Sequence, residues 1–177
     1  MSRSTRDQTS TGNTLFGYVS GGNGPTPGQT TTLDRIDYSN DTATATPKGN
    51  LITPSSYNRG VSTGNESFGY FTGGSSTDVQ RIDYSNDTAT AVARGKLNIQ
   101  AAAFGAASNS SFGYFAGGEV PSSPSRITTV NRLDYSNDTA NAVDKGPLSV
   151  ARFEVGAVSS ASHGYFAGGS ASGPAAK

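Results

Sequence analysis

The stretch RIDYSNDTATA at residues 35–45 returns letter for letter at 81–91 and, as RLDYSNDTANA, at 132–142. A ligand site written three times and a structural unit copied three times would both produce such repetition. The surrounding residues separate the two. A second phrase keeps step with the first: FGYVSGG at 16–22, FGYFTGG at 68–74, FGYFAGG at 112–118 and HGYFAGG at 163–169. Successive steps from Phe16 through Phe68 and Phe112 to His163 are 52, 44 and 51 residues, in the range of propeller blades and solenoid units.

Nearly all length variation lies in one connection. From the aromatic phrase to the following Tyr38, Tyr84 or Tyr135 the steps are 22, 16 and 23 residues. From each of those tyrosines to the next aromatic phrase they are 30, 28 and 28. Insertions concentrated after the double glycine mark an exposed loop on one side of a repeat array. The variable loops are then 23–31, 75–78 and 119–126.

Each unit reads as strands. The aromatic phrase is short and glycine-punctuated, which suits a buried strand closing in a turn at Gly21 and Gly22, Gly73 and Gly74, Gly117 and Gly118, and Gly168 and Gly169. In the second phrase Leu133 and Tyr135 share one face, with Arg132 and Asp134 on the other, and the same register places Ile36 with Tyr38 and Ile82 with Tyr84. Ser-Asn-Asp then supplies turn chemistry, because short polar side chains bond to nearby backbone amides. A returning strand follows it, and ARFEVGAVSS at 151–160 adds one before the last aromatic phrase. No helical period of useful length occurs. The fold class expected is all-β, with four short antiparallel strands per unit and about three and a half units: an N-terminal arm at 1–15, repeats at 16–67, 68–111 and 112–162, and a partial repeat with tail at 163–177.

Composition bounds the chemistry. Of 177 residues only 33% are hydrophobic and 23 are glycine, while 13 basic and 13 acidic residues cancel. Neutrality leaves no basic stripe to displace counterions from phosphates, so nucleic acid is not an expected partner. Without cysteine there is neither a disulfide nor a thiolate metal site. The opening MSRSTRDQTSTGNT lacks the apolar core of a secretory signal, and no apolar run reaches membrane-spanning length. The expected setting is cytoplasmic synthesis of a soluble protein, destined for an assembled particle.

The order of these features resembles the kelch repeat of β-propellers. Gly-Tyr-Phe-Ala-Gly-Gly118, the loop 119–126, Leu-Asp-Tyr135, the turn Ser-Asn-Asp138, Gly-Pro147 and Ala-Arg152 follow one another as in that family. The resemblance runs from about residue 16 to 169 and implies propeller blades. Two departures stand out. The tryptophan the family places after the turn is Ala43, Ala89 or Ala140, and the late arginine, present as Arg59 and Arg152, is replaced by Ala-Ala-Ala in the middle copy. The wording of the two phrases is also similar to repetitive virion proteins of tailed phages. Three complete units and a partial fourth fall short of the four to eight blades of a ring, so self-association, or a longer array, is expected.

Catalytic readings find little support. The acidic phrase offers oxygen ligands at Asp37, Ser39, Asn40 and Asp41, but lacks the glycine and distal glutamate of a calcium loop; a hairpin turn is the preferred reading and calcium the alternative. Sequons at Asn40, Asn65, Asn86, Asn109 and Asn137 come without a signal segment. Arg35 and Asp37, Arg81 and Asp83, and Arg132 and Asp134 lie two apart and are expected to pair within or between blades. His163 is the single histidine, and no Gly-x-Ser-x-Gly or cysteine nucleophile accompanies it. The structural repeat positions are therefore the eight paired glycines with Asp37, Tyr38, Asp83, Tyr84, Asp134 and Tyr135. No catalytic residue, metal or cofactor is expected. The function expected is a structural and binding module, in a phage tail, fibre or surface appendage. Recognition of a protein or glycan would fall to the variable loops. A cellular scaffold propeller, or a truncated repeat array, is the alternative.

Overall fold

Alternation along the aromatic phrase sets the architecture. In Gly-Tyr-Phe the Tyr side chain points to one face of its strand and the next residue to the other, and both faces are covered in the middle copy, where Tyr70 and Phe71 are fully buried. A strand covered on both faces lies in a sheet packed between two others. The computed structural model describes residues 7–24, 28–54, 59–74, 76–122 and 125–171. The arm at 1–6, the tail at 172–177, residues 55–58, and parts of the variable loops (25–27, 75 and 123–124) lie outside the described residues.

Three four-stranded antiparallel sheets follow one another along the chain. The first holds β1 (Thr9–Gly12), β2 (Phe16–Ser20), β3 (Thr32–Asp37) and β4 (Thr46–Asn50). The second holds β5 (Val61–Gly64), β6 (Phe68–Gly73), β7 (Ser76–Asp83) and β8 (Val92–Lys96). The third holds β9 (Gly105–Ser108), β10 (Phe112–Ala116), β11 (Val130–Asp134) and β12 (Val143–Lys145). Strand order within each is sequential. After them come β13 (Arg152–Phe153), β14 (Gly156–Ser159), β15 (Gly164–Ala167) and β16 (Ser170–Ala171), with β14 pairing β15 and β13 pairing β16. The all-β class and the four-stranded antiparallel unit are thus as expected from the sequence. Each sheet starts one strand before its aromatic phrase, so a stretch from one phrase to the next spans three strands of one sheet and the first strand of its successor.

Registers repeat from sheet to sheet. Tyr18 lies opposite Arg35, Tyr70 opposite Arg81 and Tyr114 opposite Arg132. The first strands β1, β5, β9 and β14 lie side by side, with Thr9 Oγ1 donating to Ser62 Oγ at 2.6 Å between the first two. Two apolar clusters fill the spaces between sheets. Tyr18, Leu33, Leu51, Phe71, Ile82 and Tyr84 lie between the first and second. Tyr70, Val79, Leu97, Phe104, Phe115, Leu133 and Tyr135 lie between the second and third. The core is therefore a series of inter-sheet layers.

Turns at the two ends of the sheets differ in kind. At one end all eight residues of the Gly-Gly pairs have positive φ, from 66° at Gly21 to 107° at Gly118, a conformation that costs other residues a clash of Cβ with backbone. At the other end asparagine closes each first hairpin. Asn65 Oδ1 accepts from the amides of Ser67 and Phe68, both at 2.9 Å, with Asn13 and Asn109 in the same role. Ser160 takes that position in the partial unit. The Asp-Tyr turns share this second end. Asp83 Oδ1 accepts from the Ser85 amide at 2.9 Å and hydroxyl at 2.7 Å, and Asp37 and Asp134 do the same with Ser39 and Ser136.

Arg59 and Arg152, read as one repeat position in the sequence, occupy different ones. Arg59 stands two residues before β5, where Asp7, Ala103 and Glu154 stand before β1, β9 and β14, and all four have positive φ, between 55° and 61°. Arg152 lies in β13 instead and donates to Gly168 O at 2.7 Å.

Candidate functional site

Each complete inter-sheet contact is built around one aspartate. The tyrosine of the aromatic phrase faces forward, toward the next sheet, and its hydroxyl donates to an acid there: Tyr18 to Asp87 Oδ2 and Tyr70 to Asp138 Oδ2, both at 3.0 Å. The cross-strand arginine converges on the same oxygen, Arg35 on Asp87 and Arg81 on Asp138, both at 2.8 Å. A basic residue of the fourth strand completes the set, with Lys48 3.4 Å from Asp87 Oδ1 and Arg94 3.2 Å from Asp138 Oδ2. The guanidinium groups are aimed by aromatic rings beneath them: Arg35 lies 4.3 Å over Phe16 and Arg81 4.1 Å over Phe68. Such stacking favours arginine over lysine at this position.

Around the charge cluster, rings and backbone close the joint. Tyr18 stacks on Tyr84 at 4.8 Å between centroids and Tyr70 on Tyr135 at 4.6 Å, each nearly parallel; such a pair contributes about 0.5–1.5 kcal/mol beyond burial. Thr11 and Thr63 share hydrogen bonds with the hydroxyls of Tyr84 and Tyr135. Burial pushes the Tyr84 hydroxyl up to about 12 and those of Tyr18, Tyr70 and Tyr135 higher still, with the neighbouring aspartates adding to the effect at Tyr18 and Tyr70. Main chain also crosses the joint. Gly49 N donates to Asp87 O and Gly95 N to Asp138 O, both at 2.8 Å. Ala91 N and Ala142 N donate back to Asn50 O and Lys96 O, again at 2.8 Å. A Cβ on Gly49 would lie 2.0 Å from Ala89 O, and one on Gly95 1.9 Å from Ala140 O. Ala89 and Ala140 thus face a glycine, and the sheets are anchored there by close backbone approach.

The sequence singled out Asp37, Asp83 and Asp134, which cap their own turns. The aspartates that join the sheets are Asp87 and Asp138, four residues further on in each phrase, and the expected Arg–Asp pairing is realised between sheets with these. Tyr84 and Tyr135 are buried, at 8% exposure each, whereas Tyr38 is 54% exposed, with no sheet packed on it among the described residues. The forward tyrosines Tyr18 and Tyr70 and the glycines Gly49 and Gly95 were missed. Their recurrence in step with Arg35 and Arg81 was the signal.

A cleft of about 750 Å³ opens at the Gly-Gly end, lined by Arg59, Ala102, Glu119, Pro121, Phe153 and Glu154 among others. The third variable loop supplies Glu119, Val120, Pro121 and Ser125 to it. Arg59 forms an ion pair with Glu154 across this end. Ala103 N donates to Arg59 O and Glu154 N to Ala103 O, at 3.0 and 2.9 Å, linking successive units through their positive-φ residues. His163 is exposed, with Nδ1 2.9 Å from Ser162 Oγ and its ring stacked on Tyr165. Among the described residues no three of His, Cys, Asp and Glu gather as a metal site, and no helix is long and apolar enough to cross a membrane. No protein-family model matches the chain, and no curated protein matches it.

Proposed function

We propose that the chain is a non-enzymatic structural and binding module whose sheets are kelch-like propeller blades, built into a phage tail, fibre or surface appendage. The observation that carries the structural half is the joint itself. Tyr–Arg–Asp contacts, tyrosine stacks and glycine–alanine approaches recur residue for residue between the first and second sheets and between the second and third. Side-by-side first strands are also the arrangement of inner strands around a propeller axis. The buried Asp87 and Asp138 each join one sheet to the next, which suits a scaffold. The phage reading is supported by the wording of the two repeated phrases.

Recognition falls to the Gly-Gly end. Loop 119–126, of variable length between units, contributes to the cleft there, beside a charged Arg59–Glu154 pair and the Phe153 ring. Charged groups flanking an aromatic platform suit a glycan or a polar protein loop. Electron microscopy of the purified chain, together with light scattering, tests the assembly: rings or fibres of several chains are expected, and a stable compact monomer overturns it. A glycan-array screen repeated with Glu119→Ala and Phe153→Ala tests the cleft, and binding indifferent to both substitutions removes it as the recognition site.

A further inference from the structure

The third sheet carries the forward half of a joint whose other half none of the described residues supplies. Tyr114 and Arg132 are register partners, as Tyr18 and Arg35 are, and Arg132 lies 4.3 Å over the Phe112 ring. Its buried Nε meets no acceptor among the described residues. Lys145 stands in β12 where Lys48 and Arg94 stand in β4 and β8, and Gly146 follows it as Gly49 and Gly95 follow those residues. Nothing lies within 4 Å of a Cβ built on Gly146. A cavity of about 150 Å³ opens beside Tyr114, bounded by Ser108, Ser160 and Gly164. In the two complete joints the corresponding place, beside Tyr18 and Tyr70, holds the stacked ring of Tyr84 or Tyr135.

The fourth position is half built. Strands β14 and β15 stand where β5 and β6 stand in the second sheet, and β14 lies beside β9 as β5 lies beside β1. Among the described residues β15 pairs with β14 alone, and no third strand, Asp-Tyr turn or fourth strand joins this sheet; an edge of this kind takes up an extended segment through main-chain hydrogen bonds.

We infer that this socket binds a strand–turn–strand segment of the repeat's own chemistry, Arg-Ile-Asp-Tyr-Ser-Asn-Asp with a returning strand. The incoming strand extends the β14–β15 sheet along β15. The incoming tyrosine fills the cavity and stacks on Tyr114. The aspartate three residues later accepts from the Tyr114 hydroxyl and the Arg132 guanidinium and draws in Lys145. Main chain beyond it packs on Gly146. A second intact copy is a poorer occupant, although its Tyr38 and Asp41 are exposed: its own β1 and β2 would need the space that β14 and β15 already fill.

The inference stands on the geometry of the joints and does not depend on the appendage reading. The test titrates the full chain with a synthetic peptide of residues 77–96, followed by calorimetry. One peptide bound per chain is expected. Binding weakens roughly tenfold or more when the peptide aspartate matching Asp87 is changed to alanine, or when the chain carries Arg132→Ala. Gly146→Ala is the sharper variant, because its Cβ touches nothing in the free chain. It keeps the melting curve of the parent and loses the peptide. No binding to a folded parent chain overturns the inference. So does self-association that Asp41→Ala abolishes and the peptide does not compete, which would make a second copy the occupant. Rings or fibres seen by microscopy while the peptide fails to bind would leave the assembly reading standing and this one refuted.

Discussion

Gly95 and Ala140 meet backbone to backbone: the Gly95 amide reaches the turn of the next sheet, and a single added methyl on Gly95 would lie 1.9 Å from the Ala140 carbonyl oxygen. No side chain takes part in that approach. The joint therefore depends on the absence of an atom as much as on the ion pair beside it. Gly95→Ala is expected to cost about 1–3 kcal/mol or more through forced separation of the second and third sheets. Gly146→Ala is expected to stay within about 0.5 kcal/mol of the parent. Urea denaturation of the two variants side by side checks the contrast, and equal losses would refute it.

Asp138 and Asp41 occupy the same place in their phrases with opposite surroundings. Asp138→Ala strands Tyr70 and two partly buried guanidinium groups, and a loss of about 3 kcal/mol is expected. Asp41 is exposed, with no sheet packed against it among the described residues, so Asp41→Ala is expected to change stability by less than about 0.5 kcal/mol. The midpoints of chemical unfolding report both. Asp138→Asn, which keeps an acceptor without the charge, is expected to fall between them.

Alkali should unfold the protein through its buried tyrosines. The ordinary tyrosine value is 10.0, and burial raises Tyr84 to about 12 and Tyr18, Tyr70 and Tyr135 beyond it. The folded state holds these protons where the unfolded chain releases them, so the stabilisation is complete below pH 10 and is lost as pH climbs through the folded values. Ultraviolet titration of tyrosinate should show a late group of tyrosines whose ionisation coincides with loss of the β-sheet circular dichroism signal. A single early titration of all eight tyrosines with the fold intact would contradict this.

At the acid end the sign reverses. Hydroxyls and amides of Ser39, Ser85 and Ser136 hold Asp37, Asp83 and Asp134 below the usual carboxylate value of 3.8. Their contribution is present above that value and disappears as pH falls through the lower folded ones. Ser85→Ala is expected to raise the Asp83 carboxyl toward its ordinary value, read by carbon-detected NMR titration. An unchanged Asp83 would show that the backbone amides alone hold it down.

The strand–turn–strand reading of RIDYSNDTATA was available from the chain because it is local. Ile82 and Tyr84 share a buried face two residues apart, and Ser85 and Asn86 follow with turn chemistry. What joins the sheets was harder to see, since it links residues 52 to 69 positions apart. Nothing in the alternation of one strand says that Tyr18 reaches Asp87 in the next unit. The recurrence of a glycine at 49, 95 and 146 was visible, but its meaning came only with the Ala89 and Ala140 carbonyls lying against it. The alanines had looked like a lost anchor because a bulky side chain was the contact being sought. Arg59 and Arg152 were aligned by residue type, whereas the backbone aligns Arg59 with Ala103 and Glu154, three side chains sharing only a left-handed turn.

The middle sheet shows what the joint demands of any unit. Its forward face carries Tyr70, Arg81, Arg94 and Gly95, and its backward face carries Tyr84, Asp87 and Ala89. A middle unit presents plug and receptacle at once, and the two joints close through equivalent residues. Units behave as interchangeable cassettes: duplicating or deleting one at the level of the gene creates no mismatched seam, since the new neighbours meet through the same residues as the old. The same rule explains why the eleven letters stay nearly fixed while the loops at the far end differ in length. A change within the phrase is tried against two neighbours at the charged joint, whereas the loops take no part in that joint.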